Sequence, residues 1–405
     1  MGKYLFGETV YSTGHEAWQR ILQKAHAAKL RPMCVCLPEG SRSAMYVAHA
    51  HGAYVLKRMP DTGCLHAAYC EHYEPPPELS GLGQVAGTAI REQPDSNTTA
   101  LSLDFALTKG RSRVPGVVPD VEHESVRADG TKLTLRGLLH YLWDEAGLTR
   151  WTPAMSGKRS WFVVRREILS AASSKIAKGK PLADLLFLPE TFSSEKMAEI
   201  KRRQVESLSR LARQSNDRML FIGEVKGIDE ARFGKSLVVK HLPDLKLMMS
   251  DDLHRHLQHR FAHQLQLWGQ FDSTQLMVAA TVSRSPQGIY AVEAACLMNV
   301  NNLWIPFESA FELELLDRLH ASARRFTKGL RYNLGSDKPL ACVVASDTGD
   351  ASVALFVVPQ ELTTQYDSTI DAVSDEGRLS VWRWNAGLEA LPELPIRRAG
   401  SHERP

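Results

Sequence analysis

Four residues near the start of the chain constrain it more than any others. Cys34 and Cys36 form a Cys-x-Cys pair, and His66 and Cys70 form a His-x-x-x-Cys pair some thirty residues later. Four of the six cysteines fall within the first 70 residues, the clustering a metal site requires. Thiolate and imidazole are the preferred ligands of zinc, and a structural site fills all four tetrahedral positions with protein groups. Between the pairs, Met45–Ala48 and Ala53–Leu56 read as two strands turning at Gly52, so a hairpin can bring the pairs together. Cys64 competes with His66 for the fourth position, and His49, His51 and His72 lie nearby. The alternative is a set of reduced cysteines buried as small apolar groups. A closed set of four protein ligands stabilises a fold without activating water, so any chemistry belongs elsewhere.

The chain as a whole has the composition of a soluble globular protein. Apolar residues make up 43% and charged residues 23% of 405, with a net charge of +3, which suits several hydrophobic cores. The longest apolar runs, such as Val353–Val358, are too short to span a bilayer. The first residues show no sustained apolar stretch, so a cytoplasmic protein without disulfides is expected.

The pattern predicts an α+β chain. A zinc-ribbon-like module occupies 1–110, with a helix over Gly14–Lys29. A boundary lies within Gly110–Arg127, where Pro115, Gly116 and Pro119 break any period. A mixed α/β domain follows at 128–285. There Thr134 caps a helix carrying Leu138, Leu139, Leu142 and Trp143, and Gly147 ends it. Trp161–Val164 reads as a strand, and Asp251 opens a helix through Trp268. A second α/β domain spans 286–384, with a helix from Phe307 to Phe326 and strands at Leu340–Ser346 and Val353–Val358. The tail, 385–405, is expected to be disordered.

Charge is unevenly spread. Lys196–Arg213 is a basic helix carrying Arg202, Arg203, Arg210 and Arg213; Arg324, Arg325, Lys328 and Arg331 form a second cluster. Either can meet nucleic-acid phosphates, or be a solvated helix face. Other motifs are weaker. Gly81, Gly83 and Gly87 fail as a dinucleotide loop because Ala86 stands where a glycine is needed. His254, His256, His259 and His263 read as a solvated helix face. Glu224-x-Lys226 follows a strand-like run as in PD-(D/E)xK nucleases, which bind Mg²⁺ through the carboxylate, but Asp184 is a poor partner. The last third matches the order of that nuclease core better, with Glu308 and Glu312 on or near the helix and Asp347 after the second strand. Its third strand is apolar where Glu-x-Lys should stand, so the core would be degenerate.

The runs CVCLPEG, YVLKRMPDTG, YEPPPELSGLGQVAGTAI, FIGEVKGI, NNLWIPFESAFE and RFTKGLRYN resemble an uncharacterised domain-of-unknown-function family of proteobacterial conjugative plasmids and integrative elements. The resemblance covers nearly the whole chain. It places Cys34, Cys36, His66 and Cys70 on the family's Cys and His positions and makes Cys64 a local extra. It implies a mobile-element setting and no particular reaction. The leading expectation is a zinc-stabilised accessory protein that binds DNA or RNA, without membrane contact. The rivals are a Mg²⁺-dependent nuclease and a protein–protein adaptor of conjugation or plasmid maintenance.

Overall fold

The computed structural model describes residues 2–50, 52–107, 130–212, 218–232, 234–349, 351–375 and 379–398. The stretch expected to hold a domain boundary, 110–127, lies outside them, as does Arg213.

The N-terminal module is small. Strands β1 (Lys3–Phe6) and β2 (Thr9–Ser12) form a hairpin, followed by α1 (Trp18–Ala27) and β3 (Met33–Cys34), which pairs with β1 through Tyr4↔Cys34. Strands β4 (Met45–Ala50) and β5 (Ala53–Arg58) form the expected hairpin, and Gly52 takes φ +78° at its turn, a conformation that favours glycine. Two small clusters fill this module: Tyr4 with Cys34 and Met45, and Leu22 with Ala25 and Val47. Phe6, Trp18 and Leu56 pack against both.

The largest core begins at Val85. Helix α2 (Leu82–Val85) and strands β6 (Ile90–Gln93) and β7 (Thr98–Leu101) contribute to it, although the sequence reading grouped them with the zinc module. Helix α3 (Leu135–Glu145) is capped as expected: Gly137 N donates to Thr134 Oγ1 at 3.0 Å, and Gly147 takes φ +68° beyond its end. After β8 (Arg150–Trp151) comes a correction. Trp161–Val164 is not a strand but the first turn of α4 (Trp161–Ala172). Its buried residues, Trp161, Val164, Ile168 and Ala172, recur at helical spacing, and that longer period outweighs the four-residue apolar run. Strands β9 (Lys175–Ala177), β10 (Lys180–Pro181) and β11 (Leu186–Phe187) lead into the basic helix α5 (Met197–Ala212).

Five strands then close a barrel: β12 (Met219–Glu230), β13 (Lys235–Val239), β14 (Leu247–Met249), β15 (Gln275–Arg284) and β16 (Tyr290–Val300). The ring runs β12-β13-β14-β16-β15 and back to β12. β12 serves two neighbours: Met219–Glu224 pair with β15, and Val225–Glu230 pair with β13 after an irregularity at Val225/Gly227. β14 and β16 are parallel, and the other neighbours are antiparallel. Between β14 and β15 the chain forms α6 (Asp251–Arg260) and α7 (Ala262–Gln270), which break the single expected helix at Phe261.

After β17 (Pro306–Phe307), the last region runs α8 (Ala310–Ala321), β18 (Phe326–Lys328), β19 (Val343–Ala345), β20 (Val353–Pro359), α9 (Thr363–Asp375) and β21 (Ser380–Ala386). The sheet order is β21-β20-β19-β18-β8, with only β20 and β21 parallel. Val353, Leu355 and Val357 join the core under α8, and Ala354, Phe356 and Val358 join the one under α9. Burial on both faces explains the unbroken apolar run. The helix expected over Phe307–Phe326 is shorter, because Ala323 turns at φ +50° and the chain enters β18.

The expected disordered tail is also corrected as far as residue 398. Leu391 and Leu394 pack on the core under α8, Trp382 Nε1 donates to Glu393 O at 2.8 Å, and Arg398 N donates to Asp347 O at 2.9 Å. Residues 399–405 lie outside the described part.

Candidate metal centre

The hairpin and the β1–β3 pairing bring the two cysteine-bearing segments together. Ligand atoms of Cys34, Cys36, His66 and Cys70 all lie within 4.8 Å of one another. This is the one such group of His, Cys, Asp and Glu among the described residues. Cys34 Sγ and Cys70 Sγ are 3.7 Å apart, and His66 Nδ1 lies 3.5 Å from Cys36 Sγ and 3.7 Å from Cys70 Sγ. A tetrahedron with metal–sulfur bonds of about 2.3 Å and a metal–nitrogen bond of about 2.05 Å has edges of roughly 3.8 Å and 3.6 Å. The cluster therefore has the dimensions of a four-coordinate ion, and it can hold a metal such as zinc. Cys64 is not in the group; its segment instead lines a cavity with Pro60, Asp61 and Glu74.

The surroundings suit thiolates. Ala67 N points at Cys36 Sγ and His72 N at Cys70 Sγ, each at 3.5 Å. Cys34 and His66 are buried. Without a cation the sulfurs compete for one charge. Contact with Cys34 and then Cys70 pulls the Cys36 thiol far down, contact with Cys36 pushes Cys34 up to about 11, and contact with Cys34 and Cys36 pushes Cys70 well up. A divalent ion removes that conflict, because metal-bound thiols are deprotonated outright. With Nδ1 turned to the sulfurs, the ring proton of His66 belongs on Nε2. Around the cluster, Tyr4 Oη donates to Glu71 Oε1 at 2.5 Å and lies 2.7 Å from His72 Nε2. Tyr4 belongs to no motif in the sequence; only its place in a short strand ahead of the first cysteine pair marks it.

The other candidates do not converge. Glu224 lies on β12, buried, with Lys240 Nζ at 2.5 Å, whereas Lys226 is exposed. Asp184 is exposed in the helical turn before β11, on the far side of the Leu186↔Leu220 pair from Glu224. Glu312 is buried at the start of α8 with Lys328 Nζ 3.3 Å away, and Asp347 is held by Arg324 Nε and Nη2 at 2.8–3.0 Å. Both carboxylates thus already carry a cation partner.

The same pairs correct the second basic cluster. Arg324, Lys328 and Arg331 are buried and pair with Asp347, Glu312 and Glu308, so they hold the C-terminal fold together rather than face a phosphate backbone. Arg325 is half-buried beside them. On α5, Lys201, Arg202 and Arg203 are exposed. The side chain of Arg210 lies outside the description. The histidines of α6 and α7 form no metal cluster, and His263 Nε2 lies 2.9 Å from Glu308 O.

The profile of a family described as "Protein of unknown function (DUF1173)" matches residues 4–387. The chain belongs to that family. The match takes in the metal centre, the barrel and the C-terminal sheet alike, so all three are parts of one DUF1173 unit. No curated protein and no solved structure matches it. Among the described residues, no helix is long and apolar enough to cross a membrane.

Proposed function

We propose that this DUF1173 protein binds nucleic acid and that its N-terminal module is built on a structural zinc ion. Three thiolates and one imidazole are a zinc donor set, and four protein ligands leave no open position for catalysis. One observation carries the binding reading: the basic helix α5 lies against the barrel. Lys201 Nζ pairs with Asp244 at 2.9 Å, and Gln204 Nε2 donates to His241 O at 3.3 Å, both in the β13–β14 loop. That loop also exposes Lys240 and Lys246. Helix and loop thus form one surface rich in lysine and arginine, on which Arg202 pairs with Glu206 and Lys240 with Glu224. Arg203 is partly neutralised by Glu190 at 2.8 Å, and a mixed surface of this kind gives moderate, salt-sensitive affinity. The setting, an accessory protein of a mobile element, comes from the family resemblance.

Titrating labelled DNA and RNA by fluorescence anisotropy at about 50 mM and about 200 mM salt tests this, because phosphate contacts make affinity fall steeply over that range. No binding to any single or double strand at the lower salt would sink the reading.

A second reading is favoured by topology. The order α8-β18-β19-β20-α9-β21, with its last two strands parallel, supports a degenerate PD-(D/E)xK core. Its Glu312 and Asp347 serve as ion-pair anchors in place of Mg²⁺ ligands. On this reading DNA incubated with Mg²⁺ stays intact. Cleavage abolished by alanine at Glu312 and Asp347, or at Glu224 and Lys226, would overturn it.

A further inference from the structure

Counted within the barrel, the five strands close in the order first, second, third, fifth, fourth, first. The third and fifth are parallel, and helices α6 and α7 fill the connection between the third and fourth. The first strand is long, bends in its middle and serves both neighbours. This is the connectivity of the five-stranded Greek-key barrels of the OB-fold, which take oligonucleotides or oligosaccharides across their second and third strands. Connectivity alone assigns no ligand, so the face itself must argue.

On β13 and β14, Leu237, Val239, Leu247 and Met249 are buried, and the residues between them, Val238 and Met248, are half-exposed on the opposite face. Gly227 lies beside Val238 and Ala291 beside Met248 in the pairing register. The result is a floor of Gly227, Val238, Met248 and Ala291, with buried Ser236 beside Met248 and exposed Asp229 at the β12 edge of the same row. Its rim at one end carries exposed Lys246 in the β13–β14 loop, beside Lys240, whose ammonium is held by buried Glu224. The β15–β16 loop reaches the same end, because Tyr290 pairs with Leu247, and it brings exposed Arg284 with its guanidinium 5.8 Å from the Tyr290 ring. Lys226 is exposed where β12 bends.

A largely apolar floor with Lys246 and Arg284 at one end matches a chain that offers unpaired base faces and phosphates together. A duplex turns its bases inward and cannot use the floor. Stacking on such a platform is sequence-tolerant, and the basic rim tracks the backbone. The geometry points to a single-stranded nucleic acid laid across the outer face of β13 and β14, its backbone running over the Lys240–Lys246 loop toward α5. This deepens the nucleic-acid reading above and rests on it.

The test uses the full chain, fluorescein-labelled oligo-dT and oligo-rU of about 20 nucleotides, and a duplex of the same length, a span that covers the usual site size of such a barrel. Single strands should bind at least about tenfold tighter than duplex, and Lys246→Glu with Met248→Glu should weaken single-strand binding by about tenfold or more. Arg20→Glu, on the exposed side of α1, should leave it unchanged. Photocrosslinking the unaltered protein to bromouridine-substituted strands gives a readout that needs no variant: adducts should map to 226–250 and 284–291. Equal affinity for duplex, or adducts confined to α5, would overturn the barrel assignment while the general nucleic-acid reading stands. No binding at all would overturn both.

Discussion

The N-terminal module and the barrel region solve the same problem in different ways. Each half of the module's interior centres on three buried side chains, Tyr4–Cys34–Met45 and Leu22–Ala25–Val47. The core around the barrel extends from Val85 to Tyr332 and draws on α3, α4 and every barrel strand. A unit of some 70 residues draws only marginal stability from its apolar core. On the proposed zinc reading, an ion held by Cys34, Cys36, His66 and Cys70 completes the small core, whereas the large region has an extended apolar core of its own.

Removing the metal should produce the largest effect. Binding to a structural zinc site contributes on the order of 10 kcal/mol. Chelation, or Cys34→Ser, should therefore unfold residues 2–74 while the rest stays folded. Limited proteolysis reads this as cleavage confined to the module; cleavage spread evenly over the chain would erase the contrast. Arg324→Ala probes the other side. It strands buried Asp347, at a cost of roughly 3–5 kcal/mol, so the melting temperature should fall with metal content unchanged. Arg324→Met with Asp347→Leu should recover much of that loss.

Acid sharpens the comparison further. His140 is buried, with Nδ1 accepting from Tyr332 N at 3.0 Å; burial, then nearby Arg136, lowers its pKa to about 3. A base depressed in the folded state binds its proton more readily when unfolded. Its contribution is intact above the ordinary value near 6.5 and is lost as pH falls toward 3, with a slope approaching about 1.4 kcal/mol per pH unit. His140→Asn should flatten that slope in denaturant melts of the zinc-loaded protein. The smallest effect is expected from Thr134→Ala, which removes the cap of α3 at a cost of about 1 kcal/mol, read as a small shift of the urea midpoint.

Some of this was legible in the sequence. The ligand pairs are local, and the hairpin that joins them turns at a glycine, so Cys34, Cys36, His66 and Cys70 could be named together. The Thr134 cap and the stripe behind it were equally local. The barrel was not, because its closure rests on β12 pairing with β15 some fifty to sixty residues on and on a three-residue β14. Neither leaves a periodic signal. The basic run after Ala323 misled for another reason: sequence shows a charge but not its partner. Arg324 finds Asp347, and Arg331 finds Glu308, each 23 positions away.

The central claim is that one tetrahedral zinc completes the small core. Elemental analysis of the purified full-length chain tests it most directly. Close to one equivalent of zinc, lost in Cys34→Ser and retained in Cys64→Ser, is the expected result. Less than about half an equivalent, or zinc retained after Cys34→Ser under competition from a chelator, would contradict the account, because replacing one of four ligands by a poorer donor lowers the affinity of a structural site steeply.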